Sequence, residues 1–254
     1  MDFIWIYRAS PSYWHKSGIF NELEYSIKSV RNNYKGESNC IVVGDDPKLD
    51  VQHIPCEHIE TSKYGYYRHF DMIKKVKTAL SEVKNDEFVL MYDDIYLLKE
   101  VSKQDLQITY AKKQIYDLNE YVKTRKGDNG YIRCWLSTYN RILEIRDDLY
   151  DYETHLPRYF KTDQFNEVLE RYKLDRVAYL VSSLYAALYS EVPEIITDKI
   201  QSHVVQDTPL HNDYDKAFSA TFMNISDDGI TQEFRDRMKN RLVWGNQISD
   251  FKRS

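Results

Sequence analysis

The chain has 254 residues, with 35 Lys+Arg against 40 Asp+Glu for a net charge of −5. That length accommodates one large α/β domain with a sizeable core, and the acidic balance excludes a global field that would draw it to nucleic acid or anionic lipid. Its three cysteines, Cys40, Cys56 and Cys134, are widely spaced and form no CxxC pair, which argues against a disulfide framework or a structural zinc site and points to a reducing cytoplasm.

The opening "MDFIWIYRAS" carries an acidic residue and only a short apolar run, so it reads as neither signal peptide nor membrane span, and a soluble cytoplasmic protein is expected. "DFIWIYR" is a β-type run. "FNELEYSIKSVRNNY" then places Phe20, Leu23, Ile27, Val30 and Tyr34 at spacings of three and four, one apolar stripe of a helix, capped by Asn21 or an upstream Ser and ended at Gly36. "SNCIVVGDDP" is a second strand, closed by Gly44 and Pro47. The opening is therefore β-α-β, the unit of a parallel sheet.

After a weaker extended piece, "VQHIPCEH", the segment "YYRHFDMIKKVKTALSEV" returns to helical period with Phe70, Ile73, Val76, Leu80 and Val83 inward and its lysines outward. "EFVLMYDDIYLL" follows as a strand. This alternation predicts an α/β fold: one mostly parallel sheet flanked by helices, which binds ligands beyond the carboxyl ends of its strands.

From 101 to 160 the pattern is less regular. "QITYAKKQIYDL" reads as a strand leading into polar sequence, "TRKGDNGY" as a loop, "CWLSTYNRILEI" as a helix and "DDLYDYETHLPRYF" as a loop. "DQFNEVLERY" and "RVAYLVSSLYAALYSE" are helices, "AFSATFMNIS" is strand-like, and Asp227, Asp228 and Gly229 lead to the helix "TQEFRDRMKNRLV". The C-terminal portion is thus mainly helical, without repeat, linker or low-complexity tract.

Asp93 and Asp94 stand together at the end of an apolar run, where each is desolvated and each repels the other. A hard divalent cation, Mn²⁺ or Mg²⁺, would relieve that repulsion, since such ions take carboxylate oxygens. A solvated turn is the alternative, and the chain has further Asp pairs at 45–46, 147–148 and 227–228, so position must decide.

"NELEYSIKSVRNNYKGESNCIVVGDDP", with "FVLMYDDIYLL" downstream, resembles the GT-A type glycosyltransferases of bacteriophages and capsule loci and the related Stealth-type sugar-phosphate transferases. Asn21, Glu22, Leu23, Tyr25, Ser26 and Ser29 match the family block, while Glu24 stands where Arg is usual and Tyr92 where Asn is usual. "YETHLP" resembles the His-x-Pro step that follows in such chains, and "FMNISDD" their last strand. The resemblance implies a single GT-A domain over 1–254, with 1–100 as the nucleotide-sugar half and 101–254 as the acceptor half. It implies a UDP- or GDP-sugar donor and a hydroxyl acceptor. Asp94 would be the main metal ligand with Asp93 as its helper, Asp45 would lie at the nucleotide base, and Arg8 would face the donor.

His155 would complete the metal shell or serve the acceptor side, with His203 and His211 as competing ligands. Asp151 and Glu153, in the same loop, are candidates for the base that takes the acceptor's proton. Lys63 and Arg68 open the helix before the Asp pair, where basic groups would meet a diphosphate. Lys112, Lys113, Lys123, Arg125, Lys126 and Arg133 interleave with tyrosines. That suits a DNA acceptor bearing a hydroxymethylated base, although Asp117, Glu120 and Asp128 dilute the patch. A glycan acceptor, sugar-1-phosphate transfer, and a non-catalytic nucleotide- or glycan-binding module are the other readings. Tyrosine, at 22 residues, is abundant enough to line a polar cleft as well as to pack. No feature assigns an oligomeric state.

Overall fold

The computed structural model describes residues 1–9, 20–61, 66–83, 85–124, 129–204, 214–226 and 229–251, the last nine of these by backbone alone. Lys63, Arg125, Lys126, Asp128, His211, Asp227 and Asp228 lie outside the described residues.

The expected β-α-β opening is present as β1 (Asp2–Tyr7), α1 (Glu22–Asn33) and β2 (Asn39–Gly44). Asn21 caps α1 by accepting the Glu24 N–H, which satisfies one of the donors that a helix start leaves open. The helix stops at Asn33, short of Gly36. β3 (Gln52–Pro55), α2 (Tyr67–Glu82) and β4 (Glu87–Met91) follow in the expected order.

The main sheet runs β3-β2-β1-β4-β7, with β7 at Arg158–Lys161. Its first four strands are mutually parallel and β7 pairs antiparallel with β4, so the mostly parallel α/β architecture is observed. Alternation along β1 sends Phe3 and Trp5 to one face, with Leu23, Ile27 and Val30 of α1. Ile4 goes to the other face, where α2 is joined by α5 (Asn129–Leu143), α6 (Thr162–Arg171) and α7 (Val181–Tyr189).

Four details depart from expectation. "EFVLMYDDIYLL" is two strands, because the chain turns at Asp93 and Asp94 and re-enters as β5 (Ile95–Leu97), in a second sheet with β9 (Gln201–Val204) and β10 (Phe222–Ile225). "RYF", expected in a loop, begins β7. Of "QITYAKKQIYDL", only Tyr110–Ala111 is strand, as β6 beside β8 (Glu194–Ile195), while α3 (Lys103–Gln107) precedes it and α4 (Leu118–Lys123) follows. "AFS" of the strand-like "AFSATFMNIS" ends a helix, α8 (Tyr214–Ser219), ahead of β10 and the terminal α9 (Gln232–Phe251).

Lys75 corrects the lysines-outward reading of α2. It is fully buried, with Nζ 2.6 Å from Asp71 Oδ2 and 2.8 Å from Nδ1 of His58. Among the described residues, no helix is long and apolar enough to cross a membrane.

Candidate functional site

The carboxyl ends of β1, β2 and β4 meet at one edge of the sheet. β1 and β2 converge at Gly44, whose φ of +128° suits glycine, and a Cβ there would lie 2.0 Å from the Tyr7 carbonyl oxygen. The next residue, Asp45, accepts the Ala9 N–H at 2.7 Å and lies 3.0 Å from Nε2 of His58. Because the Lys75 ammonium has only donors, His58 Nδ1 accepts from it, which leaves the ring proton on Nε2, close to Asp45 but out of line for a hydrogen bond. Burial raises the Asp45 carboxyl, but Ala9 and His58 outweigh it and hold the group below the usual carboxylate range.

Tyr7, at the end of β1, is pushed up to about 12 by burial and then by the fields of Asp93, Asp45 and Glu22. These carboxylates therefore all act on the Tyr7 hydroxyl at the strand ends.

α1 positions the Asp93–Asp94 turn. Ser26, Ser29 and Asn33 fall on one face of the helix and all bond β5 or the turn before it. Ser26 Oγ accepts from Trp5 Nε1 at 2.9 Å and donates to the Ile95 carbonyl at 2.6 Å, with the Tyr92 carbonyl at 3.4 Å. Ser29 Oγ accepts the Leu97 N–H at 3.0 Å, and Asn33 Nδ2 donates to the Leu97 carbonyl at 2.7 Å. From the other side, the Ile225 N–H of β10 reaches the Asp94 carbonyl at 3.3 Å. The polar positions inside the "NELEYSIKSVRNN" block are thus the groups that hold the paired carboxylates at the end of β4.

The loop before β7 brings His155 to this turn. Its Nδ1 lies 3.9 Å from Asp94 Oδ2, and its ring stacks on that of His203 with centroids 6.2 Å apart. Gln201 Nε2 donates to the His155 carbonyl at 2.7 Å and fixes the loop against β9. Desolvation, then the fields of Arg158, Lys112 and His203, push His155 down, even though 56% of its side chain is open to solvent. A neutral imidazole keeps a lone pair for a cation. Among the described residues, Arg158 and Lys112 are the cations whose fields act on His155.

The donor set of one or two carboxylates and an imidazole fits Mn²⁺, which takes oxygen and nitrogen ligands alike. Asp94 with His155, and Asp93 beside them, are the residues that would hold it. Among the described residues, no group of three or more His, Cys, Asp or Glu converges closely enough to hold a metal ion, so water or another bound ligand would supply the remaining positions.

The other candidates lie as follows. Arg8 is at the mouth, just past β1, in an exposed two-oxygen ion pair with Glu60 at 2.8 and 2.9 Å. Arg68 is exposed at the start of α2, against the Tyr67 ring and hydroxyl. Glu153 is mostly buried, accepts from Ser183 Oγ at 2.5 Å and lies 3.8 Å from Arg158. Asp151 does not reach the surface: it is fully buried and accepts from the Tyr121 and Tyr139 hydroxyls at 2.6 and 3.2 Å. Its surroundings suit an internal strut of the loop that carries His155. The participants that sequence reasoning passed over are Arg158, masked by the loop assignment, and the His58–Lys75–Asp71 chain behind Asp45.

No protein-family model and no curated protein matches the chain. Among solved structures it is similar to the galactosyltransferase LgtC in complex with donor and acceptor sugar analogues, at 11% identity over 96% of this chain and 95% of that one, with a TM-score of 0.47. It is also similar to the apo form of the glycosyltransferase GlyE of Streptococcus pneumoniae, at 11% identity over 99% of this chain and 63% of that one, with a TM-score of 0.37.

Proposed function

We propose that the protein is a GT-A type glycosyltransferase that moves a sugar from a nucleotide-sugar to a hydroxyl acceptor with the help of a divalent cation. The observation that carries this reading is the approach of His155 to Asp94 at the carboxyl end of β4, beside Asp93 and within the field of Arg158 and Lys112. A cation held by Asp94 and His155, with Asp93 helping through water, would supply charge neutralisation for the departing diphosphate.

The remaining chemistry belongs to the chain's own groups. Arg158 and Lys112 pair with the phosphate oxygens, and they do so most strongly as negative charge develops on the leaving group. Asp45, which accepts the Ala9 N–H, and Arg8 just past β1 orient the nucleotide, while Arg68 adds positive charge at the start of α2. Glu153 is the carboxylate we assign to take the acceptor's proton. On this reading residues 1–100 form the donor side and 101–254 the acceptor side.

The test is a thermal-shift series with Mn²⁺ or Mg²⁺ and UDP-, GDP- and other nucleotide-sugars, followed by product analysis. Stabilisation that requires metal and nucleotide together, and that disappears in Asp94→Ala and weakens in His155→Ala, is expected. Release of nucleoside diphosphate marks sugar transfer, and nucleoside monophosphate marks the Stealth-like phosphosugar transfer. A midpoint unmoved by every metal and nucleotide-sugar pair points to a non-catalytic module and ends the proposal.

A further inference from the structure

β7 ends the main sheet, and an edge strand exposes N–H and C=O groups that no neighbouring strand takes. Here tyrosines finish the edge. Tyr185 Oη accepts the Lys161 N–H at 3.0 Å and donates to Gln164 Oε1 at 2.8 Å. Tyr159 Oη donates to Glu87 at 2.6 Å and accepts from Gln107 Nε2 at 3.2 Å. Tyr189 Oη donates to Glu167 at 2.6 Å.

Between these groups lies a cleft of about 330 Å³, walled by β7, by α7 and by the segment from α3 into β6. That volume falls within the range of small-molecule sites. With their hydroxyls engaged, Tyr159, Tyr185 and Tyr189 contribute mainly ring surface to the wall. The remaining polar wall is neutral at Gln107, Thr109 and Ser182 and cationic at Arg158 and Lys161, and among the described residues it contains no carboxylate.

The cleft adjoins the site at the end of β4. Thr154, Leu156 and Pro157 stand on its wall, on either side of the His155 that reaches Asp94. Arg158 also lines it, and its buried Nε has no hydrogen-bond partner although Nη2 donates to the Thr154 carbonyl at 2.5 Å. Arg158 thus brings a charged donor group to the part of the wall that adjoins His155.

Aromatic faces with neutral amides and hydroxyls complement a sugar ring, which has an apolar C–H face and a rim of hydroxyls. A nucleic acid brings a phosphate with every nucleotide, and among the described residues only Arg158 and Lys161 supply positive charge to this wall. We propose that the cleft along β7 is the acceptor subsite and that it takes the terminal sugar of a neutral glycan, with the accepting hydroxyl toward Arg158 and His155. This assignment rests on the glycosyl-transfer reading above and selects a glycan over a modified DNA base.

Saturation-transfer NMR on the full chain, without metal or donor, tests it separately from that reading. The probes are methyl glycosides and disaccharides of glucose, galactose and N-acetylglucosamine, and a single-stranded oligonucleotide containing 5-hydroxymethylcytosine. At least one sugar is expected to bind and to lose at least about tenfold in signal in Ser182→Trp, which fills the cleft from α7. Tyr189→Ala should give the same direction of change and keeps the comparison valid if the tryptophan variant misfolds by circular dichroism. Tyr116→Ala, at an exposed tyrosine outside the cleft, should bind as the parent does. Sugar binding that persists in both cleft variants, binding of the oligonucleotide alone, or no sugar binding at all overturns the assignment, whatever the metal and nucleotide series shows.

Discussion

Ser26 Oγ donates to the Ile95 carbonyl at 2.6 Å, so a side chain of α1 fastens the backbone immediately after the Asp93–Asp94 turn. The same oxygen accepts the buried Trp5 indole N–H. Ser26→Ala leaves both partners without it, and an unsatisfied buried polar group costs about 1–3 kcal/mol. Urea denaturation should show that loss. The affinity for Mn²⁺ with nucleotide should fall further than Ser29→Ala causes, because Ser26 is bonded nearer the carboxylates. An unchanged denaturation midpoint in Ser26→Ala would sink this account of the turn.

Asp151 and Glu153 separate a strut from a base. Asp151→Asn should lower the melting temperature, because two tyrosine hydroxyls and the Glu153 N–H lose a charged acceptor, and hydrogen bonds to charged groups contribute about 1.5–3 kcal/mol each. Turnover per folded molecule should remain. Glu153→Gln should cut turnover per folded molecule, beyond the melting loss expected from Ser183 losing a charged acceptor. Activity lost in Asp151→Asn at an unchanged melting temperature would return Asp151 to the catalytic group.

Lys75 tests the buried chain behind Asp45. With its side chain 1% exposed and paired to Asp71, removing the ammonium in Lys75→Met strands a carboxylate that is itself only 13% exposed. Breaking a buried pair from one side costs about 3–5 kcal/mol, whereas replacing both partners with apolar groups is often near neutral. Lys75→Met should be severely destabilised, and the double variant Lys75→Met/Asp71→Leu should recover much of the loss in chemical denaturation. If the double variant is as unstable as the sum of the two single ones, the pair is not the stabilising unit.

His69 makes stability sensitive to pH. Burial pushes it from 6.5 down to about 4, against the Leu174 and Val177 carbonyls that favour the charged form. Between those values the unfolded chain binds a proton that the folded chain refuses, so stability is fully present above pH 6.5 and declines as pH falls toward 4. The contribution is on the order of 3 kcal/mol for a group this buried. His69→Gln, which can still donate to the Leu174 carbonyl but does not titrate, should flatten the denaturation midpoint between pH 4 and 6.5. An undiminished slope in that variant would assign the effect elsewhere, first to His155 and His203, whose pKa values are also depressed.

The β-α-β opening, the helix from Tyr67 and the carboxyl-end position of Asp93 and Asp94 could all be read along the chain, because apolar period and turn residues are local signals. Locality also explains the misreadings. β7 is four residues after a proline and acquires its identity only by pairing with β4, while β5 leaves the main sheet because β10 offers it a partner. Lys75 looks like any surface lysine until His58 and Asp71, from another element and an earlier helical turn, close around it. Likewise, "DYETH" presents three titratable side chains with equal standing. Packing buries Asp151 among tyrosines, ties Glu153 to Ser183 and sends His155 to Asp94, distant in sequence. Side-chain direction within such a loop is set by long-range contacts, and those exist only once the sheet and its covering helices have assembled.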